Sequence, residues 1–380
     1  MTNSILASVA ALGMLTAIGR AVLPVSAQDN GIPPLVITAF NGGIAASYTV
    51  PRTPWGDPDF QGSWTSDDAS FPVSRPRNQA GLYLSDDLWT QRQKQIQTTL
   101  ANSDSEGGAF RNDIARRAFR QTSAIVDPVD GRMPAFTPEA EKRRAPRDFG
   151  TFGDGPFDWT TDFTLYDRCI TRGIVYSAVR SPYGNGVRIF QSPGVVAISY
   201  EMVHDTRVLY TDGRPHINKG LKQYLGNSRG HWEGDVLVVE TTNLTDQTSI
   251  DAPNGRGLRH SDKMKLTEKI KRVARDIVQY QVTVEDPVTF VHPFTLSLPW
   301  TPLQGGRLLP YECHEGNHGL ENILASERAE DRAIEDDRRK GIIRPRRPVQ
   351  NGLGVAGQPL PGAAGGAPDG EAGPPSQPGR

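Results

Sequence analysis

At 380 residues with a 37% hydrophobic share, the chain is long enough to bury a sizeable core. Its 42 basic and 43 acidic residues nearly cancel to a formal net charge of −1, which excludes a general field for gathering nucleic acid or anionic lipid. No P-loop, dinucleotide fingerprint or G-x-S-x-G elbow occurs, leaving phosphate-cradle, Rossmann and α/β-hydrolase chemistry without support.

Residues 4–19 form an apolar run too short to span a bilayer comfortably, and Val25-Ser26-Ala27 supplies small residues at a cleavage position. Residues 1–27 therefore read as a secretory signal. No Lys or Arg precedes the run, so an uncleaved anchor is the alternative. With no other segment apolar enough to cross a membrane, a periplasmic or secreted location is expected. Residues 28–50 read as an irregular leader. Gly62-Ser63-Trp64 resembles the opening strand of a lipocalin, but an aromatic packed on a barrel end is the favoured reading.

Ser85 before Asp86 and Asp87 caps a helix to about Leu100, and Glu106 to Thr122 suggests a second, Arg-rich helix. Thr137-Pro138 starts a short helix that Pro146 stops. Between them, Asp127 to Pro134 is a turn-rich loop, open to ligand contacts or held by its own aspartates.

From Phe163 the hydrophobic period changes to two. Candidate strands are Phe163–Ile170, Ile174–Val179, Val187–Gln191, Val195–His204, Arg207–Thr211, Val236–Thr242, Lys263–Val273, Ile277–Glu285, Phe294–Trp300 and Arg307–Cys313. Gly230 to Asn243 is the clearest hairpin, turning at Glu233-Gly234-Asp235. The expected fold is mainly β: an antiparallel meander closed into a lipocalin-like barrel, or else a two-sheet sandwich, with N-terminal helices and one C-terminal helix. A last helix should run from Asn317 to near Gly341. One domain over 51–343 follows, its part 51–150 helical, with a disordered Pro/Gly-rich tail over 344–380. Cys169 and Cys313 are the only cysteines; in an oxidising compartment they should join and bring the first and last strands together.

Alternation singles out site candidates. Glu268 falls in phase with Met264, Leu266 and Ile270, Glu240 with Val236 and Val238, and His204 with Ile198, Tyr200 and Met202. One reading gathers these groups as acid, base and proton carrier inside a cavity; the other satisfies each at a strand end with an arginine. All seven histidines lie in the C-terminal half. The loop Thr211 to His216 offers Asp212, Arg214 and His216 to an anionic or hydroxylated ligand, and Cys313 to Asn317 offers His314 and Glu315. Tyr200 and Trp232 would supply walls. No HxH or HExxH spacing occurs, so no metal and no organic cofactor are expected.

The ordered motifs DPVDGRMP, DRCITRG, YEMVHDTRVLYTDGRPH, GHWEGDVLVVETTN and YECHEGNHGLENIL resemble a family of exported bacterial proteins known only as hypothetical. The resemblance covers residues 52 to about 340 and implies export and a shared fold, with no activity attached. The function expected is small-molecule binding, with no nucleic-acid partner. A cofactor-independent lyase, isomerase or hydrolase is the first alternative, and a structural or interaction protein the second.

Overall fold

The structure, a computed structural model, describes residues 33–38, 48–106, 114–144, 157–250 and 259–346. The expected signal segment and the tail from residue 347 lie outside the described residues. Ten strands form one sheet: β1 (Gly62–Thr65), β2 (Ile125–Asp127), β3 (Gly186–Ser192), β4 (Val195–Tyr200), β5 (Thr206–Tyr210), β6 (Asn227–Glu233), β7 (Val236–Thr242), β8 (Lys265–Ala274), β9 (Ile277–Glu285) and β10 (Phe294–Pro302). Because β1 pairs with both β3 and β10, nine strands close into a barrel, while β2 pairs with the other end of β10.

The barrel is mixed, which corrects the expected antiparallel meander. β5 and β6 run parallel and meet only at Tyr210 and Arg229. The connection 211–226 between them is too long for a hairpin and brings the chain back to its starting end. All other neighbours are antiparallel, and tight turns join β3 to β4, β6 to β7 and β8 to β9, as the alternation implied.

Three candidate strands are absent. In 163–170 the Thr164 hydroxyl donates to Asp167 Oδ2 (2.6 Å), and the Asp167 N–H donates back to Thr164 Oγ1 (3.1 Å). This local turn outcompetes a ladder. The run at 174–179 is helix α3 (Ile174–Ala178), with all five residues buried; an apolar run covered on every side has no period to separate helix from strand. Pro310, without an N–H, interrupts the run at 307–313.

Helix α1 (Asp86–Glu106) is longer than expected, whereas the described part of the second Arg-rich helix, 114–122, is irregular. There, Asp68 Oδ1 accepts the N–H groups of Arg116 and Arg117 at 2.7 and 3.0 Å. Helix α2 (Pro138–Arg144) is capped as expected, with Ala140 N–H donating to Thr137 Oγ1 at 3.1 Å. The Asp127–Pro134 loop is held from within and by Arg75, since Arg132 N–H donates to Asp130 Oδ1 and Arg75 Nη1 to the Val129 carbonyl. Helix α4 (Gly319–Arg339) packs Leu320, Ile323 and Leu324 against Phe157 and Phe163.

The core is continuous through the barrel. Inward residues such as Ile189, Ile198, Leu209, Val239, Leu266, Tyr280, Leu298 and Trp300 are at most 2% exposed and pack with α3. Trp300 stacks on Tyr280 at 4.5 Å and donates to the Ala178 carbonyl at 3.1 Å. Side chains thus fill the interior. The described leader residues 33–38 are irregular, but they cover the outer face of β9 and β10, where Val36 N–H donates to Gln281 Oε1 (2.8 Å) and Ser297 donates to the Val36 carbonyl (2.7 Å).

Candidate functional site

Glu268 points into the barrel as its alternation implied and is fully buried. Its carboxylate accepts two hydrogen bonds from Arg207 Nη2, at 2.8 and 3.1 Å, and one from the Tyr280 hydroxyl at 2.8 Å. Burial works against the Arg207 charge, and the Glu268 carboxylate together with the Tyr200 and Tyr280 phenols more than offsets it, holding the guanidinium above its ordinary value. Tyr200 also faces inward; burial, with Glu268 and Asp205 adding to it, pushes its phenol up to about 12.

The other expected members of that cluster lie elsewhere. β7 buries Leu237, Val239 and Thr241 completely and turns Glu240 outward, one residue out of the expected phase. Val236 to Val239 is apolar on both faces, so alternation could not fix the register. On the outside, Glu240 pairs with Lys265 at 2.5 Å and with His216 Nε2 at 3.4 Å, while His216 Nδ1 contacts Asn227 Oδ1 at 3.1 Å. His204 is exposed because β4 ends at Tyr200 and the chain reverses through Val203 and His204, with φ of 64° and 55°. Its nearest acid is Glu312, at 4.0 Å. An acid, a base and a proton carrier around one substrate are therefore not assembled from His204, Glu240 and Glu268.

Asp212 and Arg214 pair with each other at 2.5 Å, and Arg214 lies over the Tyr210 ring at 3.9 Å. The guanidinium expected to hold an anion already has its carboxylate. Trp232 packs edge-on against Phe60 at 5.4 Å as part of the core margin. His314 and Glu315 are exposed in the turn that leads to α4. Cys169 and Cys313 form the expected disulfide, with Cα atoms 5.6 Å apart. It joins two loop segments, however, and barrel closure is the work of β1 and β10.

What sequence reading missed is the site beside that disulfide. Arg172 is 3% exposed and has three tyrosine rings around it, with Cζ 5.0 Å from the centroid of Tyr166, 5.1 Å from Tyr176 and 5.9 Å from Tyr183. Its two Nη atoms donate to the Tyr183 and Gly184 carbonyls at 2.9 and 3.1 Å. Tyr166 and Tyr183 share a hydrogen bond of 3.2 Å, and burial drives the Tyr183 phenol upward. Thr164, Leu165, Tyr166, Thr171, Tyr176 and Ser249 join Arg172 around a half-open cleft with about 10 Å³ of room, enough for one water-sized group.

Thr171 links this cleft to the barrel core. Its hydroxyl donates to Asp205, whose carboxyl is raised by burial against the pull of that hydrogen bond and of Arg207. A lone Arg172 in the otherwise uncharged stretch Ile170 to Val179 was the available sequence signal.

A buried histidine adds a pH-sensitive element. His260 is 1% exposed, contacts Thr248 Oγ1 through Nε2, and lies 2.9 Å from the Ser261 carbonyl through Nδ1. Burial lowers its pKa, so the folded protein holds it neutral. The unfolded chain takes up the proton first, below about pH 6.5, so this contribution to stability is complete above that pH and falls as the pH drops. Unfolding free energies measured between about pH 7 and pH 5 should fall by up to about 1.4 kcal/mol per pH unit more in wild type than in His260→Gln. Parallel slopes would contradict this account.

Among the described residues no group of three or more His, Cys, Asp or Glu side chains is arranged to hold a metal ion, and no helix is long and apolar enough to cross a membrane. No protein-family model matches the chain, and neither does any curated protein or solved structure.

Proposed function

We propose that the protein is an exported β-barrel that binds a small molecule at its tyrosine-lined cleft rather than in its interior. The observation that carries this reading is the cleft itself: aromatic walls from Tyr166 and Tyr176 and one buried cation, Arg172. Apolar walls with a few directed polar groups are how proteins hold small ligands. The disulfide supports export to an oxidising compartment, as does the resemblance of the sequence motifs to exported bacterial proteins.

Native mass spectrometry of the full protein purified from its own host tests the reading. A retained small molecule in wild type that is absent from Arg172→Lys is the expected result. A bare polypeptide mass in every wild-type preparation would favour the second reading, a structural or interaction protein. That reading has its own supporting observation, the inward Glu268 already satisfied by Arg207 and Tyr280 within a filled core.

A further inference from the structure

Three arginines are more than nine-tenths buried among the described residues: Arg75, Arg172 and Arg207. Arg207 has the Glu268 carboxylate against it, and Asp130 stands close enough to Arg75 to favour its charge. Arg172 differs from both. Among the described residues it has no ion pair, and its two Nη atoms are spent on neutral backbone carbonyls.

Its Nε–H, buried in the cleft wall, has no hydrogen-bond partner among the described residues. Three ring faces lower the cost of this charge, but a quadrupole is not a counter-ion. Glu201 is the acid close enough to feel the guanidinium, yet its two oxygens accept the N–H groups of Gly186 and Leu309, at 3.2 and 3.3 Å. Burial also raises that carboxyl toward its neutral form.

A buried cation without a paired acid is costly unless something negative joins it. Resting on the small-molecule reading above, we propose that the ligand of the cleft is a small organic anion. Its carboxylate-like oxygen takes the Arg172 Nε–H in the one water-sized space, and its ring or carbon skeleton lies against Tyr166 and Tyr176 at the open side. The cleft admits one such oxygen and little more, which restricts the class to monoanions with a slender polar tip. A guanidinium suits this task because its N–H direction is fixed by a planar frame.

Benzoate and its neutral isostere benzamide are the probes, titrated by calorimetry into the full oxidised protein at constant ionic strength. Saturable benzoate binding at least tenfold tighter than benzamide is expected, with the preference lost in Arg172→Lys, which keeps a charge but lacks the Nε–H. The wild-type comparison stands alone should that variant fold poorly. Equal affinity for the two probes would overturn the anion inference and leave the small-molecule reading in place. Binding of neither probe at millimolar concentration would also overturn it; a ligand retained in the native mass spectrum would then show that only the anion inference had failed. Benzoate binding undiminished in folded Arg172→Lys would place the anion elsewhere and overturn the assignment to this cleft.

Discussion

Glu268→Leu is expected to destabilise the fold by about 3–5 kcal/mol, because it strands the Arg207 guanidinium in the barrel core. Arg207 is 3% exposed, and its Nη2 makes both bonds to the carboxylate. Its Nε and Nη1 have no partner among the described residues, so none of its N–H groups keeps an acceptor once Glu268 is gone. The Tyr280 hydroxyl loses its acceptor at the same time. The double variant Arg207→Met/Glu268→Leu should recover most of the loss, since two apolar side chains of similar volume need no counter-charge. Denaturant unfolding of the two single variants and the double variant forms the cycle. A cost below about 1 kcal/mol for Glu268→Leu would mean that the guanidinium reaches water in its absence.

Removing the disulfide should cost a similar amount by a different route. Cys169 and Cys313 are separated by 144 positions, and a cross-link closing so long a loop restricts the unfolded chain by about 5 kcal/mol in the entropic description. Cys169→Ser/Cys313→Ser should therefore unfold at markedly lower denaturant concentration. The double variant should also weaken the stacking of Tyr311 on Tyr183, since Cys313 anchors the segment that carries Tyr311. Two reactive thiols on native, unreduced wild type would contradict the pairing.

Particular residues show why some of this was legible in the sequence. Glu268 stood out because Leu266 and Ile270 flank it in phase while Lys265, Lys269 and Lys271 occupy the other face of β8. β7 had no such contrast, and Glu240 was placed on the wrong side. The parallel seam left no trace, since the stretch 211–226 contains no strand to announce a change of direction. Arg172 was hidden by the assignment of its neighbours to strands, although a single charge among apolar residues is itself unusual. On β9 the residues Gln279, Gln281 and Thr283 resemble a solvent face, yet they are at most 3% exposed. The absence of charge among them was the clue to a cover, which residues 33–38 provide in part.

Closure through β1 and β10 governs the order in which the molecule can be completed. Trp64 pairs with Pro302 and Thr65 with Thr301, so a chain synthesised from its N-terminus carries an unfinished sheet with two free edges until its last strand exists. Such edges are templates for pairing with other chains, and contacts this distant in sequence form late and slowly. Cys313 follows β10, so in a growing chain the cross-link becomes available only after the ring of strands can close. It locks a completed barrel rather than guiding its assembly.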